Sequence, residues 1–161
     1  MRLIKLKIFN LILILFIFPT YSHACENIRF SNSEIYILSK KNNEKFKFDV
    51  QIADTKPKRK KGFQCQKNIK KNEGMFFVWD LEDKRYFWMK NTEFSLDIIF
   101  INKNLEIVDI FFNAKPYNLM TITSDKKAKY VLELHAGVFK SFNLEIGDKI
   151  FFKKNKKIVS N

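Results

Sequence analysis

Glycine and proline are scarce in this chain, four and three among 161 residues. That leaves almost no material for flexible or proline-rich linkers, so the chain reads as one domain. Histidine and cysteine number two each. Beyond the first 24 residues the metal-donor candidates are Cys25, Cys65, Met75, Met89, Met120 and His135, with no Cys-x-x-Cys and no histidine pair. Soft Met and His donors suit Cu(I), but methionines spread among strands serve more often as core filler. No metal site is expected. Glycine-rich phosphate loops, nucleophile elbows and Ser/His/Asp spacings are missing as well. No cofactor is expected either.

Arginine is scarce as well. Only Arg2, Arg29, Arg59 and Arg85 stand among 30 basic residues, although the net charge is +13. Recognition of bases and phosphates favours the forked guanidinium. Lys, Asn, Ile and Phe are enriched together, the set that A/T-rich codons supply, so much of the lysine excess needs no binding role. No nucleic-acid partner is expected. The lysine clusters at 56–61 and 153–157 read as solvated, with weak contact to an anionic membrane surface as the alternative.

What is present begins with the N-terminus. Arg2, Lys5 and Lys7 precede an apolar run from Ile8 to Phe18, followed by a polar end with Ser22 and Ala24 at the −3 and −1 positions. This is the pattern of a secretory signal peptide over residues 1–24. The run is about half the ~20 residues that a spanning helix needs. The chain is therefore expected to be exported, periplasmic or extracellular, and monomeric. Cleavage after Ala24 would make Cys25 the first residue. A lipid anchor at Cys25 is the lesser alternative, because Ser22 and bulky His23 stand where lipidation wants Leu and a small residue. In an oxidising compartment Cys25 and Cys65 form a candidate disulfide, with two unpaired thiols as the competing reading.

Residues 25–45 read as a lead-in and 153–161 as a basic tail. Between them, 46–152 reads as a single mainly-β domain. Phe46, Phe48, Val50 and Ile52 alternate with polar residues, as in a half-buried strand. Thr55 and Pro57 open a short basic helix that Gly62 ends. Further strands are expected at Met75–Trp79, Arg85–Lys90, Leu96–Ile101, Leu105–Phe112, near Leu119–Ile122, Tyr130–Leu134 and Lys149–Phe152, with a second short helix over Ala136–Phe142. Ile98–Ile101 has no alternation and should be covered on both faces. No βαβ rhythm is evident, so the expected fold is an antiparallel sandwich or partly closed barrel with one or two short helices.

Three places could carry chemistry. If Arg85–Lys90 continues as a strand, Trp88, Lys90 and Thr92 share one face, and polar Lys90, Asn91 and Thr92 emerge beside aromatics as ligand-orienting groups do. The bland alternative is a core strand ending in a polar turn. Glu133 and His135 share a strand face roughly 7 Å apart and could hold a proton or a substrate between them. A solvated face is the commoner explanation of such a pair. Asp97, before the apolar run, is the third candidate, and a surface aspartate its plain reading.

The order of several segments resembles the family called domain of unknown function 192. They are Gly74-Met-Phe-Phe-Val, Phe87-Trp-Met-Lys-Asn-Thr and Leu96-Asp-Ile-Ile-Phe-Ile101, then Ala128-Lys-Tyr-Val-Leu-Glu-Leu-His-Ala-Gly137 and Gly147-Asp-Lys-Ile150. The resemblance covers about residues 46–152 and implies a small, often exported, mainly-β protein without an established activity. The chain departs from the family at Gly62-Phe-Gln-Cys-Gln66, where Gly-Leu-Met and a following Arg are usual. Ser95 replaces the usual Pro, and His135 the usual Asn. The leading expectation is a non-catalytic binding module for a small ligand or envelope protein, its site built from Trp88, Lys90, Asn91, Thr92, Asp97 and Glu133. The alternatives are an enzyme on an envelope substrate, with Glu133 as acid or base and Lys90 as electrostatic stabiliser, and an accessory interaction domain.

Overall fold

The computed structural model describes residues 27–153. The expected signal peptide, Cys25 and the tail beyond Lys153 lie outside the described residues. Strands β1 (Ser31–Leu38), β2 (Lys45–Ala53) and β3 (Glu73–Asp83) come first, with helix α1 (Lys56–Lys61) between β2 and β3. After them come β4 (Tyr86–Phe87), β5 (Leu96–Ile101), β6 (Ile107–Ala114), β7 (Ile122–Thr123), β8 (Ala128–His135), helix α2 (Val138–Ser141) and β9 (Lys149–Phe152). Seven strands form one curled sheet in the order β6-β5-β8-β3-β2-β1-β9, and β4 and β7 make a small second sheet.

The sheet curls into a half-barrel whose edges meet at one end. Ile150 N–H donates to the Leu105 carbonyl at 2.8 Å and Ile107 N–H to the Asp148 carbonyl at 2.9 Å. Closing the edges in this way removes unpaired backbone groups that would otherwise recruit another strand. Inside the curl, Ile35, Ile37, Phe48, Val50, Phe76, Ile99, Leu132 and Leu134 pack with Val138 and Phe139 of α2. On the outer face of the central strands a second apolar cluster joins Met75, Phe77, Ile98, Phe100 and Val131 to Phe63, Met89, Phe94 and Ile122 from the connections. All six residues of β5 are buried, as its unbroken apolar run implies.

Two features depart from the sequence reading. The first is β1, which lies in the segment set aside as a lead-in yet pairs with both β2 and β9. Only Ile35 and Ile37 mark its buried face, so its alternation is too short to stand out. The second is that β2 and β3 run parallel, from Asp49 opposite Glu73 to Ala53 opposite Phe77. A parallel pair needs a crossover, here residues 54–72 with α1. No residue of α1 is buried, so this crossover helix lacks the apolar stripe by which a βαβ unit is read.

Candidate functional site

The expected strand through Lys90 stops at Phe87. Thr92 N–H closes a turn onto the Met89 carbonyl at 3.2 Å, and Asn91 takes a left-handed φ of +52°, a conformation asparagine tolerates better than most residues. The predicted two-faced alternation is thereby corrected: Met89 and Thr92 turn inward, while Trp88 stays half exposed at 50%. Even so, the turn delivers Trp88, Lys90 and Thr92 to the wall of one cavity of about 490 Å³, which Glu133 also lines. Asn91 sits at its rim: its side-chain amide reaches the Gln64 Oε1 at 3.5 Å and its carbonyl accepts from Cys65 N–H at 2.9 Å.

Glu133 is not on a solvated face. Its neighbours across the sheet are Met75 on β3 and Ile98 on β5, both wholly buried. The residue is 5% exposed. Its carboxyl has no hydrogen-bond partner among the described residues, and burial pushes it up to about 8. A carboxyl in so apolar a place keeps its proton at neutral pH and presents an O–H donor.

The rest of the lining came from segments that the sequence reading did not join. Lys56, Arg59, Lys60 and Lys61 of α1 stand along one side, and Phe63, Phe77, Trp79, Tyr86 and Phe87 supply apolar walls. The Arg59 guanidinium donates to the Asp54 and Val78 carbonyls at 2.7 and 2.8 Å and lies 5.2 Å over the Trp79 ring. Arg85 covers Trp79 at 4.4 Å and donates to the Ala128 carbonyl at 2.9 Å and to the Leu81 carbonyl. No local signal marks α1 as part of a site. Its lysines reach the cavity only because the crossover carries them over the outer face of β3.

Asp97 belongs elsewhere. It is buried, and it does not line the cavity. One carboxylate oxygen accepts from Asn113 N–H at 3.0 Å; the other accepts from Gly137 N–H at 2.9 Å and Phe139 N–H at 3.3 Å. Asp97 therefore caps the start of α2 and holds the end of β6, a structural duty. His135 stacks on Phe94 with ring planes 7° apart and is likewise outside this cavity. Cys65 is disulfide-bonded, while the other cysteine, Cys25, lies outside the described residues. Among the described residues no group of three or more His, Cys, Asp or Glu side chains is placed to hold a metal ion.

A larger cavity, about 670 Å³, lies between β1, β2 and the loop before β3. Its acids are already paired. Glu34 contacts Lys47 at 3.0 Å and Lys153 at 2.7 Å, Asp49 contacts Lys47 at 3.3 Å, and Glu73 contacts Lys70 at 3.3 Å. Lys153 and Lys47 hold the Glu34 carboxyl below the usual carboxylate range. The smaller cavity holds a buried carboxyl with no ion-pair partner among the described residues, beside lysines that lack one as well.

Two curated relatives that the chain resembles are described only as UPF0127 proteins. The chain is 33% identical over 106 residues to a UPF0127 protein of Thermococcus sibiricus, a match covering 63% of this chain and 64% of that protein's length. It is 28% identical over 120 residues to a UPF0127 protein of Pyrococcus abyssi, covering 71% of this chain and 94% of that protein. A crystal structure from Sinorhizobium meliloti, described as "a putative transcription regulator", superposes with a TM-score of 0.76 at 26% identity. That match covers 79% of this chain and 98% of the other. The family model DUF192, Uncharacterized ACR, matches residues 37–152. The chain belongs to the DUF192 family.

Proposed function

We propose that the protein is an exported, non-catalytic binding module for a small ligand, which it holds in the cavity between α1, the Met89–Thr92 turn and β8. The observation that carries this reading is the convergence of Trp88, Lys90, Thr92 and Glu133 on one cavity of about 490 Å³. Small-ligand sites have this size and this make-up, apolar walls with a few polar groups. Export is supported by the first 24 residues. A nucleic-acid role has less support, since Arg59 and Arg85 are committed to Trp79 and to backbone carbonyls. The test is a thermal-shift screen of the purified protein against small envelope metabolites, repeated with Lys90→Ala. A compound that raises the melting temperature of the parent and not of the variant supports the reading. Stabilisation that survives Lys90→Ala unchanged removes Lys90 from the site.

One observation favours the enzyme reading enough to state it. A buried carboxyl titrating near 8 is suited to give up or take a proton at neutral pH. Product formation from a stabilising compound, abolished by Glu133→Gln while binding persists, would establish that reading in place of the first.

A further inference from the structure

Resting on the reading of this cavity as a ligand site, we infer that its ligand is a small ring-bearing anion. Its phosphate or carboxylate meets the lysines of α1 and Lys90, its ring lies against Trp88, and an acceptor atom reaches Glu133.

The charge argument comes first. Lys47, Lys58, Lys70, Lys149 and Lys153 each have a carboxylate within 4 Å. Most other lysines of the described residues have none, and what sets Lys56, Lys60, Lys61 and Lys90 apart is that these four line one cavity. Arg59 adds a positive charge to the wall, its Nη1 donating to two backbone carbonyls. The one acid in the lining, Glu133, is neutral at pH 7 because burial holds its proton. It neither offsets these lysines nor repels an anion. Clustered cations around a neutral floor select a negative ligand.

The ring argument is separate. Trp88 and Tyr86 line the cavity while remaining 50% and 66% exposed. Large aromatic faces left open beside cations are the surfaces on which ring-shaped ligands stack. Lys90 lies 5.5 Å over the Trp88 ring, so charge and ring face are presented together. Glu133 then supplies the remaining element, a donor at the buried end that has no protein acceptor to satisfy it.

Calorimetric titration of the full chain with four probes tests the inference. 4-Nitrophenyl phosphate carries ring, anion and acceptor; phenyl phosphate lacks the acceptor; inorganic phosphate lacks the ring; 4-nitrobenzyl alcohol lacks the charge. The expected result at pH 7 is binding of 4-nitrophenyl phosphate about tenfold tighter than of any other probe. Lys60→Ala with Lys61→Ala should weaken it by about tenfold, and added salt should weaken it further. The charged and titratable groups facing the cavity are Lys56, Arg59, Lys60, Lys61, Tyr86, Lys90 and Glu133, and affinity is followed from pH 7 to 9. Glu133 is the one expected to lose its proton in that window, so the parent's affinity should fall while that of Glu133→Gln, which keeps a donor, stays level. If the neutral alcohol binds as tightly as the phosphate ester, the anion inference is overturned while the ligand-site reading stands. If none of the four probes binds at millimolar concentration, both are overturned.

Discussion

A methyl group placed on Gly74 would stand 2.7 Å from the Glu133 carbonyl oxygen and 2.7 Å from Leu134 Cδ2. β3 and β8 thus approach more closely at this point than any side chain on Gly74 would allow, and the approach positions Glu133 between Met75 and Ile98. Gly74→Ala should destabilise the fold by about 1–3 kcal/mol, the usual cost of overpacking. Urea unfolding measures this. A ΔΔG near zero would show that β8 can shift, and with it the carboxyl at the floor of the cavity.

Glu133 makes stability depend on pH in a direction that can be worked out. A carboxyl has an ordinary value of 4.5, and in the fold burial raises it to about 8. Between those values the folded state holds a proton that the unfolded state has released. The contribution of Glu133 is fully favourable below about 4.5, declines as pH rises, and is lost above about 8. The loss is on the order of 5 kcal/mol across that window. Glu133→Gln should remove this component, so the variant gains on the parent as pH rises from 5 to 9. Parallel denaturation curves for the two proteins across that range would show that the carboxyl is not held neutral.

Asp97 predicts a contrast between stability and binding. Its carboxylate serves the backbone N–H groups of Asn113, Gly137 and Phe139. Asp97→Ala orphans all of them and should cost about 3 kcal/mol or more. The affinity of the folded variant for 4-nitrophenyl phosphate should match the parent's. A variant that unfolds normally but fails to bind would return Asp97 to the site.

The cysteines predict a mass. Cys65 is disulfide-bonded, and the chain offers Cys25 as its one intramolecular partner. Protein purified from an oxidising compartment should weigh two hydrogens less than its reduced form. Because Cys65 N–H donates to the Asn91 carbonyl at the cavity rim, reduction should also weaken ligand binding. A lipid adduct on Cys25, or the mass of two free thiols, would rule the pairing out.

Much of the β framework was legible because its signal is local. Alternation in Phe46–Ile52 marks β2, and the unbroken apolar run of Leu96–Ile101 marks a strand buried on both faces. The family was legible for a related reason, since its motifs are contiguous stretches of those same strands. Lys90 and Glu133 were also singled out, one beside aromatics at a strand end and the other by its place near His135.

Local patterning is enough to specify a mainly-β chain with that ordered set of strands. The parallel β2–β3 pairing, the role of Asp97 and the surroundings of the site arise only in the folded chain. Those depend on contacts between residues far apart in the chain. The Asp97 carboxylate meets backbone groups 40 and 42 residues away, and the Glu133 carboxyl is raised by its burial on a strand between Met75 and Ile98 of other strands. The lysines of α1 carry no local mark that separates a solvated run from a cavity wall. Only the crossover, by laying that helix over the aromatic face of β3, turns their charge toward a neutral, buried carboxyl.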